Sequence, residues 1–220
     1  MYEEYYDEYE YQEQRGGCSF LFLLPPLAAL LVSLLLLSLW YTGPIYRSPE
    51  SIENSTLAPL FTPEVHYWAP EINTWAEEWN LDPNMVATVM QIESCGDPYA
   101  KSIANARGLF QVMPFHFATL ENPADPDTNA KRGMAYLTSS LEAFNYDVRY
   151  AFAGYNAGIG GAGRGEASWP AETIRYVYWA SGIYADARAG RAESATLQEW
   201  LSRGGASLCR QASASLKLAD

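Results

Sequence analysis

The chain has 220 residues, enough for one ordinary domain with additional segments. It carries 26 Asp and Glu against 14 Lys and Arg, a formal net charge of −12, and no basic stripe, which argues against a nucleic-acid partner. Two histidines, His66 and His116, stand alone, and no Cys/His cluster, Walker lysine or Ca²⁺ loop is present, so neither a metal site nor a cofactor is expected.

The acid is concentrated at the start. Residues 1–18 combine Glu3, Glu4, Asp7, Glu8, Glu10 and Glu13 with five tyrosines and have no packing period, the pattern of a disordered tail. Residues 19–41 carry no charge. At about 1.5 Å per residue, Phe20 to Trp40 is long enough to cross a hydrocarbon core of roughly 30 Å. Trp40 and Tyr41 suit the interface at its far end. The acidic residues before this segment, its length and the lack of a small-x-small site after Trp40 favour an uncleaved transmembrane anchor over a cleaved signal peptide. Residues 42–64, rich in Pro, Ser, Thr and Glu, read as a linker.

From residue 65 the pattern is helical. Trp68, Ile72, Trp75 and Trp79 share one face, as in a core stripe. The next helix begins at Pro83. Val86, Val89 and Met90 form an apolar face, and Glu93 is the next residue on it. Gly96 and Pro98 stop this helix, so a carboxylate ends an apolar stripe in the last turn. Desolvation and the negative end of the helix dipole both disfavour its anion, which is the condition of a general acid that stays protonated near neutral pH. Further helices are predicted around Asp127–Phe144, Val148–Asn156, Ala171–Ala180 and Ala195–Leu201. No run alternates with period two, so the fold class expected is all-α. The domain is placed at 65–190, with a helical extension over 191–220. Gly158-Ile159-Gly160-Gly161-Ala162-Gly163 fits G-x-G-x-x-G, but a helix precedes it where a dinucleotide site needs a strand, so it reads as a flexible loop.

Four segments follow one another: Glu93-Ser94, Gly108-Leu109-Phe110-Gln111-Val112-Met113-Pro114, Gly154-Tyr155-Asn156-Ala157-Gly158 and Glu172-Thr173-Ile174-Arg175-Tyr176-Val177. In this order they resemble the catalytic domain of the lytic transglycosylases of the soluble-lytic-transglycosylase type, over about residues 65–185. The resemblance implies a lysozyme-like fold and cleavage of the glycan strands of peptidoglycan. It gives Glu93 the role of sole acid/base, with Ser94 as its usual neighbour. Ser94, Gln111, Met113, Tyr155, Asn156 and Tyr176 are the substrate-site residues it implies. Gln111 and Met113 would line the sugar cleft, Tyr155 and Asn156 would face the scissile bond, and Tyr176 would hydrogen-bond Glu93. Asn105 and Gly154 depart from the family's usual residues, Gly and Ala.

Hydrolysis by paired carboxylates needs a second Asp or Glu. Asp97, Asp125 and Asp127 are the nearest candidates in sequence, and all three look like turn or cap residues. With one carboxyl, the family resemblance implies an intramolecular route that yields 1,6-anhydro-MurNAc ends from the MurNAc-GlcNAc β-1,4 bond. Two alternatives stay open: a hydrolytic muramidase resembling goose-type lysozyme, and a non-catalytic peptidoglycan-binding or assembly protein. A glycan-cleaving domain must face the wall, which puts the N-terminus in the cytoplasm and makes residues 1–18 a candidate site for a cytoplasmic partner. Cys95 and Cys209 are then an even pair in an exported domain, and a disulfide between them is expected.

Overall fold

The structure, a computed structural model, describes residues 57–218. The acidic tail, the apolar segment 19–41 and the first part of the expected linker lie outside the described residues. Among those described, no helix is long and apolar enough to cross a membrane. There is no β-strand either. Two isolated antiparallel bridges, Lys101 with Arg107 and Arg107 with Val112, are the nearest approach to one.

The helices, in chain order, are α1 (Pro63–His66), α2 (Ala69–Trp79), α3 (Pro83–Glu93), α4 (Pro126–Ala143), α5 (Val148–Ala157), α6 (Ile159–Ala162), α7 (Ala171–Arg188), α8 (Ala195–Trp200) and α9 (Ala206–Leu216). Short 3-10 turns lie at Pro114–His116 and Glu166–Ser168, and a π-helical segment, Leu201–Gly205, joins α8 to α9. Four of the described helix starts follow side-chain capping. Asp82, Asp125, Asp147 and Ser194 each accept a hydrogen bond from a backbone N–H of the first turn they precede. In α3 and α4 a proline at the first position adds the fixed φ that a helix start requires.

Helix α3 forms the centre. All ten residues from Pro83 to Ile92 are buried. The single apolar face expected from Val86, Val89 and Met90 is therefore corrected: the helix is enclosed on every side. Its polar residues are not exceptions, because each is satisfied. Thr88 Oγ1 donates to the Asn84 carbonyl at 2.7 Å. Asn84 Oδ1 accepts from the Ala58 N–H at 2.8 Å, and Gln91 Oε1 accepts from the N–H and hydroxyl of Thr62 at 3.1 and 3.2 Å. These bonds dock residues 57–62 onto the helix. Leu57, Ala58, Leu60 and Phe61 are buried with it. The described end of the expected linker, from residue 57, is thus packed into the domain. Pro, Ser and Thr made that stretch look like a tether, but its four apolar side chains are core.

The C-terminal boundary shifts as well. Leu197, Trp200, Cys209 and Ala212 belong to the same buried cluster as α3, so residues 191–218 are part of the domain and not an appendage. Cys209 is disulfide-bonded to Cys95, just past the end of α3. Ser213 Oγ donates to the buried Glu64 carboxylate on α1. Helix α7 runs to Arg188, past the end expected at Ala180. Gly182 is not a stop signal there. A Cβ at that position would lie 2.6 Å from Thr196 Oγ1, so the glycine lets α8 approach closely. Gly154 has a similar reason. A Cβ there would lie 2.1 Å from Ser140 Oγ, where α5 crosses α4. The glycine-rich stretch 158–163, expected as a flexible loop, begins with α6 and follows α5 directly.

Candidate active site

Glu93 is the last residue of α3 and the first at which that enclosed helix reaches partial exposure. Its carboxyl is pushed up from 4.5 to about 8. Loss of water is the largest cause. The Tyr176 hydroxyl works against it by favouring the anion, and the charge of Glu172 adds to the rise. Tyr176, on α7, is buried, and its hydroxyl has no hydrogen-bond partner within normal distance. Its effect on the Glu93 carboxyl places it beside that group, where donation would favour the anion. Burial raises the Tyr176 hydroxyl well above its ordinary range, with the charges of Glu93 and Tyr155 adding to the effect. Tyr155, on α5, is raised in the same way by burial, then by Glu93 and by Tyr136. Glu93, Tyr155 and Tyr176 thus converge from three helices.

The loop Gly108–Gln111 is held at this point from two sides. Ser94 Oγ donates to the Leu109 carbonyl at 2.7 Å and accepts from the Gly96 N–H at 3.1 Å. Tyr155 Oη donates to the Phe110 carbonyl at 2.8 Å. Gln111, the next residue, takes φ +44°, and its Nε2 donates to the carbonyls of Ala100 and Gly108 at 3.2 and 3.0 Å. Those bonds fix the orientation of the side chain. Met113 is half-buried and leads into the Pro114–His116 turn. Asn156 Oδ1 accepts from Thr173 Oγ1 at 2.8 Å, which ties α5 to the first turn of α7 beside Glu172. Asn105 takes φ +71°, a left-handed angle that Asn tolerates.

Ser94 is 1% exposed and both its hydrogen bonds go to backbone, so it clamps the loop. The three aspartates weighed as second carboxylates are also structural. Asp97 accepts from the Tyr99 N–H, Asp125 caps α4, and Asp127 accepts from Trp75 Nε1. Asp127 lies on a groove of about 720 Å³ between α2 and the start of α4, which shares no residue with the Glu93 group.

Two residues escaped the sequence reading. Glu172 is the carboxylate whose charge acts on Glu93, although its motif had been singled out for Tyr176 alone. Asn129, 1% exposed on α4, organises the loop through three bonds. Its Oδ1 accepts from the Phe110 N–H at 2.9 Å, and its Nδ2 donates to the carbonyls of Arg107 and Pro123 at 2.8 and 2.9 Å. A buried Asn inside a helix, where it is a poor helix former, was the available signal. Asn129→Ala strands those backbone groups, at a cost on the order of 1–3 kcal/mol for each group left unsatisfied. It should lower the denaturant midpoint and weaken substrate binding through Gln111, which unfolding and steady-state measurements would read together.

Glu93, Tyr155 and Tyr176 thus group a raised carboxyl with two buried hydroxyls. Residues 70–176 match the family described as Transglycosylase SLT domain. The chain is 38% identical over 101 residues to a transglycosylase of Enterobacteria phage PRD1, a match covering 45% of this chain and 36% of that one. It is 31% identical over 102 residues to the membrane-bound lytic murein transglycosylase E of Buchnera aphidicola, covering 38% of this chain and 46% of the relative. A membrane-bound lytic murein transglycosylase C from Photorhabdus laumondii is 32% identical over 104 residues, covering 38% of this chain and 29% of the relative. The matches thus span less than half the length of each of these relatives. A solved structure, the lytic transglycosylase Slt of Pseudomonas aeruginosa in an inactive mutant form, aligns with 24% identity and a TM-score of 0.48 over 59% of this chain and 25% of that one.

Proposed function

We propose that the protein is a peptidoglycan lytic transglycosylase with a lysozyme-like domain, cleaving the MurNAc-GlcNAc β-1,4 bond with Glu93 as its acid/base. The observation that carries this reading is the Glu93 carboxyl, raised to about 8 at the end of an enclosed helix with Tyr176 and Tyr155 about it. At neutral pH such a group is protonated and can give its proton to the glycosidic oxygen as the bond breaks. The sugar left behind is oxocarbenium-like. Glu93, now a carboxylate, takes the proton of that sugar's 6-hydroxyl, whose oxygen closes on the anomeric carbon. The proton count balances and no water is consumed. The hydroxyl is tethered to its target, so proximity replaces a second protein group. The carboxylate formed midway is the species that a donating Tyr176 hydroxyl would stabilise.

Hydrolysis is the second reading, and Glu172 favours it. That carboxylate acts on Glu93 from the exposed first turn of α7, where it could serve as a base toward water. Mass analysis of glycan fragments separates the two. The lyase leaves 1,6-anhydro ends, one water lighter than the reducing ends of a hydrolase. Fragments carrying only reducing ends would overturn the transglycosylase reading, and intact glycan after long incubation would favour a binding or assembly role.

The same reading keeps residues 19–41 as a membrane anchor, residues 1–18 in the cytoplasm and the domain facing the wall. The charge-free 19–41 segment supports it, as do the two relatives whose names include membrane-bound.

A further inference from the structure

Holding a sugar strand beside Glu93 requires a surface as well as an acid. The segment after Gln111 carries an exposed ring that core packing does not explain. Phe115, on the Pro114–His116 turn, is 75% exposed. Its ring centroid lies 4.5 Å from that of His116, His116 lies 4.8 Å from Tyr136, and Tyr136 lies 5.9 Å from Tyr155. Tyr155 in turn responds to the charge of Glu93. A row of four rings therefore runs from the acid to solvent.

The outer end of this row is held in place. Arg132, on α4, grips Glu121 through two hydrogen bonds of 2.8 and 2.6 Å, and the other contact of Glu121 is the Ala118 N–H at 3.0 Å. This clamp closes the loop that begins with the turn. Burial and the charge of Arg132 both lower the basicity of His116, which keeps its ring neutral near pH 7. A neutral imidazole offers one donor and one acceptor as well as a flat face. Pyranose rings present C–H faces, whose partial positive charge complements the negative face of an aromatic ring. Their hydroxyl and acetamido groups match the imidazole edge.

We propose that Phe115 and His116 form an additional sugar subsite of the cleft, Phe115 stacking on the face of an N-acetylated hexosamine and His116 hydrogen-bonding its substituents. This rests on the glycan-cleaving reading above. The test uses the whole chain carrying Glu93→Gln, titrated calorimetrically with peptide-free tetrasaccharides of alternating N-acetylated sugars. Phe115→Ala should weaken binding about 3- to 10-fold, the value of one aromatic contact, and Phe115→Trp should restore it. His116→Ala should weaken it comparably. Unchanged affinity in both alanine variants would overturn the subsite. So would a loss confined to peptide-bearing glycan, which would assign the turn to the stem peptide instead. If the Glu93→Gln parent itself fails to bind glycan, the functional reading fails first, a result distinct from the other two.

Discussion

Glu93→Gln should leave a folded, glycan-binding protein that cleaves at least about 100-fold more slowly, the usual cost of losing acid/base catalysis. The amide keeps the shape of the carboxyl and cannot deliver a proton. Near-normal turnover by the variant would end the proposed mechanism. The pH dependence supplies a second check. Cleavage by the parent should fall as pH rises past about 8, where Glu93 loses its proton. Stability should follow the same group. The folded carboxyl is raised to about 8 from 4.5, so between those values the folded chain binds a proton that the unfolded chain has released. This contribution is fully present below about 4.5 and is lost as pH rises through about 8. Glu93→Gln removes the slope. Its thermal midpoint should exceed that of the parent at pH 9, and the gap should close toward pH 4. A variant less stable than the parent at pH 9 would show that Glu93 is not held against desolvation.

Reduction of the Cys95–Cys209 bridge should lower the thermal midpoint substantially, and Cys209→Ser should do the same. The bridge joins residues 114 apart. Chain entropy assigns roughly 4–5 kcal/mol to a loop of about that length as an upper value. In a domain of this size that corresponds to a shift on the order of 10 °C. The bridge holds α9 against the centre of the fold. Gln91 Nε2 reaches both sulfurs, at 3.1 Å to Cys95 and 3.6 Å to Cys209. Cys95 lies two residues after Glu93, so loosening α9 should also loosen the end of α3 and, on the proposed mechanism, reduce activity. Thiol titration of the denatured, unreduced chain gives an independent count. One free thiol, that of Cys18, is expected, whereas three would exclude the bridge.

The sequence by itself determined most of the longer helices and where Glu93 lies. The period of Val86, Val89 and Met90 marks α3, and Gly96 and Pro98 mark its end, so Glu93 was legible as a terminal carboxylate. Tyr155 and Tyr176, singled out by their motifs, are the two tyrosines whose hydroxyls respond to Glu93. These are local signals, carried by residues within a few turns of one another. Only the tertiary structure decided what lies against α3. Residues 57–62 and α9 cover it from about 30 positions upstream and more than 100 downstream, as the bonds to Thr62 and Cys95 record. No helical period contains that information, which is why α3 looked like a one-sided helix. The inward turn of Ser94, the loop-holding bonds of Asn129 and the charge of Glu172 on Glu93 have the same origin. Each depends on a partner from another element, and burial is set by the elements that close around a residue, not by its neighbours in the chain.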